Sequence, residues 1–151
     1  MNSEEKIIQE LQAKFSFLEG KAKLARARRI FIEVSLRDLF EVLTFLNKEL
    51  KFEQLCTITG LDEGPFFGVM YHLAQNTGGV VLNVKIQVQR EKPEINSVIG
   101  IYPGAEIYER ELVDLLGFKV EGLPQGIRYP LPDDWPAGQY PLRKDWKEEK
   151  Q

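Results

Sequence analysis

Val80-Val81-Leu82-Asn83-Val84-Lys85-Ile86-Gln87-Val88-Gln89-Arg90 is the stretch whose reading decides the fold. Leu82, Val84, Ile86 and Val88 alternate with Asn83, Lys85, Gln87 and Gln89, the period-two pattern of a strand with one buried and one wet face. Before it stand the turn signal Asn76-Thr77-Gly78-Gly79 and a second strand candidate, Phe66 to Leu73, so the three together read as an antiparallel hairpin. Leu55 to Thr59 is a weaker strand candidate, Ile30 to Val34 a short one, and Asn96 to Tyr102 adds a fifth.

Helical periodicity flanks this core. Ile7, Ile8, Leu11, Phe15 and Leu18 form one apolar stripe, with Ser3 as cap, Glu4 and Glu5 in the first turn and Gly20 as a stop. Ser35 is read as the cap of a second helix, whose face is Leu36, Leu39, Phe40, Leu43, Leu46 and Leu50. A third helix is read over Ala105 to Leu116, closed by Gly117 in the left-handed position. Between the first helix and the first strand lie Lys21, Lys23, Arg26, Arg28 and Arg29. A solvated linker is the commoner meaning of such a run; a patch for anionic lipid or an acidic partner is the other.

The composition changes after the third helix. Five of the eight prolines fall between Pro124 and Pro141, which fixes φ and removes backbone donors, so an extended irregular arm is expected. Ile127, Tyr129, Leu131, Trp135, Tyr140, Leu142 and Trp146 are too apolar for a disordered tail, and such an arm wants a surface to lie on. The expected architecture is α+β: a small, mainly antiparallel sheet with helices packed on it over residues 1–121, and a Pro-rich C-terminal arm over 122–151 docking on a partner.

Bulk numbers narrow the function. A net charge of −3 speaks against a dedicated nucleic-acid binder. No apolar run reaches the length needed to cross a bilayer, and the first residues lack the pattern of a signal peptide, which gives a cytoplasmic default. One cysteine, Cys56, and one histidine, His72, cannot supply the ligands of an iron–sulfur cluster or a tetrahedral zinc site, so no cofactor is expected on this chain. Cys56 reads as a buried reduced thiol and His72 as a hydrogen-bonded sheet residue. Gly60, Gly64 and Gly68 match no phosphate-binding loop and read as turn glycines.

The third helix concentrates charge: Glu106, Glu109, Arg110, Glu111 and Asp114. Arg110 stands four residues from both Glu106 and Asp114, so compensation within the helix is available. A hydrolase would use two such carboxylates as acid and base. A solvated face or an ion-pair network between subunits is the more ordinary reading. Pro141-Leu142-Arg143-Lys144-Asp145 joins a rigid entry to adjacent basic and acidic groups, and its place at the end of an aromatic-rich segment containing Trp135 favours docking.

These two stretches carry a resemblance. Glu109-Arg110-Glu111, Asp114 and Gly117, followed by Pro141-Leu142-Arg143-Lys144-Asp145, resemble the two motifs of the C subunit (30-kDa subunit) of NADH:quinone oxidoreductase. Ser97-Val98 and the preceding hairpin resemble the family too, so the likeness covers most of the chain. Gly122-Leu123-Pro124 replaces the Gly-His-Pro of complex I members, and only Arg128 stands where they carry a run of arginines. Leu131-Pro132-Asp133-Asp134-Trp135-Pro136, followed by Tyr140-Pro141-Leu142-Arg143-Lys144-Asp145, looks more like the version in membrane-bound energy-converting [NiFe] hydrogenases and formate hydrogenlyases.

The resemblance implies a cofactor-free structural and assembly subunit of the peripheral, cytoplasmic-side module of such a membrane-bound [NiFe] hydrogenase. It would pack on a large subunit that holds the nickel–iron centre or borders the quinone site. A small subunit with iron–sulfur clusters would be its neighbour, and membrane subunits would be reached indirectly. Glu109, Arg110, Glu111, Asp114, Gly117, Trp135, Pro141, Leu142, Arg143, Lys144 and Asp145 become candidate partner-interface residues. The alternatives are a C subunit of an NADH, F420H2 or ferredoxin:quinone oxidoreductase, a free-standing enzyme using the helix carboxylates, and a free-standing binding module.

Overall fold

A computed structural model describes residues 2–126 and 128–148. Its elements in chain order are α1 (Ser3–Lys14), β1 (Lys23–Arg26), β2 (Arg29–Glu33), α2 (Leu39–Lys48), β3 (Gln54–Asp62), β4 (Phe66–Ala74), β5 (Val81–Gln89), β6 (Glu94–Asn96), α3 (Ala105–Leu116) and β7 (Lys119–Glu121). The class is α+β. One sheet has the order β1-β2-β5-β4-β3, and β6 with β7 makes a separate pair.

β5 lies at the middle of that order, and its apolar face is buried as the alternation predicts. Asn83, read as wet, is buried too and bonds the Ile30 carbonyl. Leu82, Val84, Ile86 and Val88 are buried, and a strand with neighbours on both sides must satisfy its backbone entirely in the ladder. β4 reaches β5 through residues 75–80, too short for a crossover, so the pair is an antiparallel hairpin, and the Gln75 N–H bonds the Val80 carbonyl at 3.1 Å. The same holds for β3 and β4, where the Glu63 N–H bonds the Phe66 carbonyl at 2.9 Å. β2 differs: it runs parallel to β5, with Ile30 opposite Leu82 and Ile32 opposite Val84. The intervening α2, β3 and β4 provide the crossover that a parallel neighbour needs. The sheet is therefore mixed.

Contacts group the chain into two units. The first comprises Met1–Thr59 and Met70–Ile86. Leu11, Leu18, Ile30, Val42, Leu43, Leu46, Phe52, Leu82, Val84 and Ile86 are fully buried in it, and the Phe15 ring meets the Phe45 ring edge-on at 5.4 Å. Local reading of this unit needs correction at four places. Asn2, not Ser3, caps α1: its side chain accepts the Glu5 N–H at 2.8 Å while the Glu5 carboxylate accepts the Asn2 N–H at 3.1 Å. Ser35 does not cap α2. Its hydroxyl exchanges bonds with the Asp38 carboxylate and N–H, holding 35–38 in a turn and leaving Leu36 and Phe40 exposed. The basic run is no linker, because Lys23–Arg26 pairs antiparallel with β2. Cys56 is exposed rather than buried, near the start of β3, the strand at the other end of the sheet order from β1.

His72 does sit in the sheet as a hydrogen-bonded residue. The Asn83 amide donates to the Ile30 carbonyl at 3.2 Å, so its oxygen faces His72 Nδ1 at 2.5 Å as acceptor. Nδ1 therefore carries a proton, and Nε2 meets the Thr59 hydroxyl at 2.8 Å.

The second unit comprises Gly60–Val69 and Gln87–Gln151. Phe67, Val69, Ile95, Val98, Ala105, Leu112, Leu116 and Phe118 are buried, and the Phe67 and Phe118 rings lie 5.4 Å apart. The strand expected over Asn96–Tyr102 is instead the shorter β6, paired parallel with β7. After it the Ile101 and Tyr102 N–H groups both bond the Val98 carbonyl, which turns the chain into α3. α3 itself has the expected bounds. Residues 122–148 hold no helix or strand among those described, as their prolines require. They are, however, not an outstretched arm: they bond repeatedly to α3.

Gly60 on β3 packs without a side chain against α3. A Cβ there would collide with Leu116 Cδ1 and lie 2.6 Å from Leu112 Cδ2, both on buried residues. Gly60→Ala is expected to destabilise the chain by roughly 1–3 kcal/mol through overpacking. The midpoint of urea unfolding measures it, and an unchanged midpoint would show that both leucines repack freely.

Candidate functional site

The second unit is organised by how α3 ends. An α-helix leaves its last carbonyls without intrahelical donors. Gly117, at φ 79°, lets the chain reverse so that the Phe118 N–H bonds the Leu112 carbonyl and the Gly117 N–H the Val113 carbonyl, each at 3.1 Å. The last two carbonyls of the helix are met from the second motif: the Leu142 N–H donates to Leu115 at 3.0 Å, and Arg143 Nε donates to Leu116 at 2.8 Å. The Arg143 guanidinium lies over Phe67 and Tyr140, 5.2 and 4.6 Å from the ring centroids.

The charged groups of the first motif also turn inward. Asp114 accepts Arg128 Nε at 3.2 Å on one oxygen and the Leu131 N–H at 3.1 Å on the other. Arg128 passes a second bond to the Trp135 carbonyl at 2.8 Å. Arg110 pairs with Glu106 at 2.8 Å and donates to the Pro124 carbonyl at 2.6 Å. Of the two carboxylates in reach of Arg110 by spacing, it thus takes Glu106, because Asp114 is held by Arg128. Glu111 is half-buried. Trp135 donates its indole N–H to the Gln139 carbonyl at 2.8 Å and lies tilted against Trp146.

Glu109 is 1% exposed. Its Oε1 accepts the Ser97 hydroxyl at 2.8 Å and the Val98 N–H at 3.3 Å, whereas Oε2 has no partner among the described residues. Burial pushes its pKa up to about 7, against the pull of the Ser97 hydroxyl and Val98 N–H, with the Glu106 charge adding to the rise. Both donors are on Oε1, so Oε2 is the oxygen that takes the proton when the carboxyl is neutral.

A cluster that the sequence gives no sign of completes the site. Asp62 at the end of β3 accepts Arg90 Nη1 at 2.6 Å, the Gly64 N–H at 3.0 Å and the Lys144 N–H at 2.7 Å. Arg90 also reaches Asp145 at 3.0 Å and lies 4.9 Å from the Phe67 centroid. The Arg90 guanidinium holds the Asp62 carboxyl well below the usual carboxylate range. Asp62 and Lys144 are 82 positions apart, and no spacing rule links them.

The candidates therefore divide. Glu109, Arg110, Asp114, Gly117 and Arg143 hold the unit together. Leu142, Lys144 and Asp145 show their side chains to solvent, Leu142 at 55%, as do the nearby motif neighbours Ile107 and Tyr129. A cleft of about 470 Å³ lies along α3, lined by Arg110, Asp114, Arg128, Tyr129 and Tyr140. Among the described residues no group of His, Cys, Asp and Glu could hold a metal ion, and no helix is long and apolar enough to cross a membrane.

Comparison with known proteins now bears on this arrangement. Residues 32–151 match the family described as respiratory-chain NADH dehydrogenase, 30 Kd subunit. The chain belongs to that 30-kDa subunit family. It is 35% identical over 143 residues to the C subunit of the F(420)H(2) dehydrogenase of Methanosarcina mazei, spanning 93% of this chain and 90% of that one. It is 33% identical over 142 residues to the C subunit of the NADH-quinone oxidoreductase of Moorella thermoacetica, with 93% of both covered. A chain in the archaeal membrane-bound sulfane sulfur reductase, a respiratory membrane complex, superposes with TM-score 0.84 at 28% identity, over 97% of this chain and 86% of that chain. A trypsin-resistant fragment of Nqo5 gives TM-score 0.67 at 25% identity, over 81% of this chain and 98% of the fragment. Membership in the 30-kDa family makes this chain a subunit of a complex I-like oxidoreductase assembly.

Two outcomes follow from the geometry. Gly117→Ala combines left-handed strain with a Cβ 2.6 Å from the Arg143 guanidinium and 2.7 Å from the Tyr140 ring, so a loss of about 2 kcal/mol or more is expected in urea unfolding. A loss within about 0.5 kcal/mol would mean the α3 terminus does not rely on Arg143. For Glu109 the folded pKa is raised, so the folded chain binds the proton more tightly than the unfolded one between pH 4.5 and about 7. Its contribution is complete below the unfolded value and is lost as pH rises through 7, on the order of 3 kcal/mol at most. Glu109→Gln keeps an acceptor for Ser97 and should flatten stability across this window; a profile of unchanged slope in the variant would remove Glu109 as its source. Asp62 acts in a separate, acidic window with the opposite sign, its contribution being lost as pH falls.

Proposed function

We propose that this chain is a cofactor-free scaffold subunit of the peripheral, cytoplasmic-side module of a membrane-bound complex I-like dehydrogenase. It packs there on the large subunit that borders the quinone site, or its equivalent, beside an iron–sulfur small subunit. Membrane subunits are reached only through these neighbours, and electrons pass through them rather than through this chain. One observation carries the reading. Charged groups of both family motifs are engaged with this chain's own backbone, at Val98, Pro124, Leu131 and Leu116, while apolar Ile107, Tyr129 and Leu142 remain outside. Such a unit offers a prefolded surface instead of an acid–base pair. A single cysteine and a single histidine suit a role without redox centres. The names of the relatives, F(420)H(2) dehydrogenase and NADH-quinone oxidoreductase, favour the dehydrogenase branch.

A second reading, the equivalent scaffold of an energy-converting [NiFe] hydrogenase, is favoured by Gly122-Leu123-Pro124 and by the single Arg128 in the stretch that follows. Purification of the tagged protein from native membranes in mild detergent separates the two. A quinone- or cofactor-linked dehydrogenase without nickel is the expected companion. Nickel in the large subunit, with hydrogen evolution in the same fraction, would move the chain to the hydrogenase branch. A lone monomer would remove the scaffold reading. Leu142→Asp should lower recovery of the large subunit about tenfold without changing the thermal midpoint of the chain, because the side chain is solvent-facing. Equal losses of recovery and midpoint would instead make Leu142 part of the fold.

A further inference from the structure

In the first unit the basic run forms one edge of the sheet. β1 ends the strand order and has a neighbour on one side only, and all four of its residues are exposed. Arg26 stands opposite Arg29, a like-charged cross-strand pair that works against the hairpin. Between them Arg28 takes φ 60°, and Glu4 accepts its N–H at 2.7 Å, so the carboxylate of α1 fixes the hairpin tip. The side chains of Lys21, Lys23, Arg26 and Arg29 have neither ion-pair nor hydrogen-bond partner among the described residues. This is an uncompensated cationic edge in a chain whose net charge is −3.

The edge also has a shape. Arg26, Arg29 and Phe31 line a cleft of about 440 Å³ with Cys56, His72 and Asn83. Phe31 is 38% exposed, and the Asn83 bond fixes the imidazole in orientation. A bilayer meets a flat or protruding basic surface, whereas here forked guanidiniums and a phenyl ring face a concavity. Guanidinium forks suit carboxylates in two-point contact. An open strand edge suits an extended backbone, whose alternate side chains fall on one face.

We propose that the β1 edge and its cleft receive an extended acidic segment of a neighbouring subunit. The segment runs beside β1 and places Asp or Glu side chains two residues apart toward Lys23 and Arg26, with Arg29 next to Arg26 across the hairpin. The proposal rests on the reading that the chain works inside a multisubunit complex.

The test uses the native complex. A benzophenone amino acid replaces the exposed Leu24 of β1, membranes are irradiated, and cross-linked peptides are sequenced. The expected product is a peptide of a co-purifying subunit with acidic residues at alternate positions. Its yield should fall at least about tenfold with Arg26→Glu combined with Arg29→Glu, at an unchanged thermal midpoint of the chain. Should that double reversal not fold, Arg26→Gln with Arg29→Gln supplies the same comparison. An undiminished cross-link in the charge variants overturns the proposal. So does a cross-link to lipid alone, or binding of the purified chain to phosphatidylglycerol vesicles that the variants lose, either of which assigns the edge to the membrane. No cross-link while the other subunits still co-purify means that the cations merely guard an edge strand, and it leaves the complex reading intact. A chain recovered without any subunit overturns both.

Discussion

The carbonyls at the end of α3 are the constraint on which the second unit depends. Water would satisfy them on an exposed helix, but Leu112 and Leu116 bury this end against Gly60, so donors must come from the chain. Gly117 supplies the reversal, and the Leu142 N–H and Arg143 Nε supply the donors. The described residues of 122–141 must then make a path back to α3 without a sheet or helix of their own. Their prolines need fewer donors satisfied along that path, and Asp114 fixes it midway by receiving Arg128 and Leu131. The motif on the helix and the motif after the prolines are two halves of one closure.

That closure explains what sequence reasoning could and could not see. The bounds of α3 and its glycine stop were legible because both depend on local chemistry, an amphipathic face and a residue that tolerates positive φ. β5 was legible for a similar reason, since a central strand must alternate or be apolar throughout. Pairings at long range were not. β2 lies parallel to β5 through a crossover of two strands and a helix, and nothing in Ile30–Val34 announces a parallel neighbour. β1 was hidden by its charges, which read as a linker because strand formation at an edge can rest on backbone pairing alone. The arm reading captured the irregular backbone but not where it lies. Apolar side chains among prolines do indicate something to lie against, but here much of that surface is the chain's own helix.

The carboxylates show how context overrides residue type. Glu109 and Asp62 both sit in the second unit and both accept hydrogen bonds, yet their affinities for protons shift in opposite directions. Asp62 faces a guanidinium and two backbone N–H groups, so its charge is well compensated. Glu109 meets only a hydroxyl and one N–H, both on the same oxygen, and burial decides. The neutral form is the one a buried helix face accommodates at the lower cost. A reading of Glu109, Arg110, Glu111 and Asp114 as one solvated charged face therefore averages over very different situations: a buried acid, a half-exposed ion pair and a carboxylate serving as a backbone anchor.

This inward use of motif residues changes how substitutions in them should be understood. Removing Asp114 or Arg143 frees buried donors and carbonyls of the same unit, so lost assembly would follow from lost structure whatever the partner surface is. A test of partner contact is better placed on side chains that face solvent or have no polar partner among the described residues: Leu142 and Ile107 in the second unit, Arg26 and Arg29 in the first. Family motifs here mark mostly residues that shape the surface, and the side chains left facing solvent, Leu142 within the second motif and Ile107 beside the first, are few.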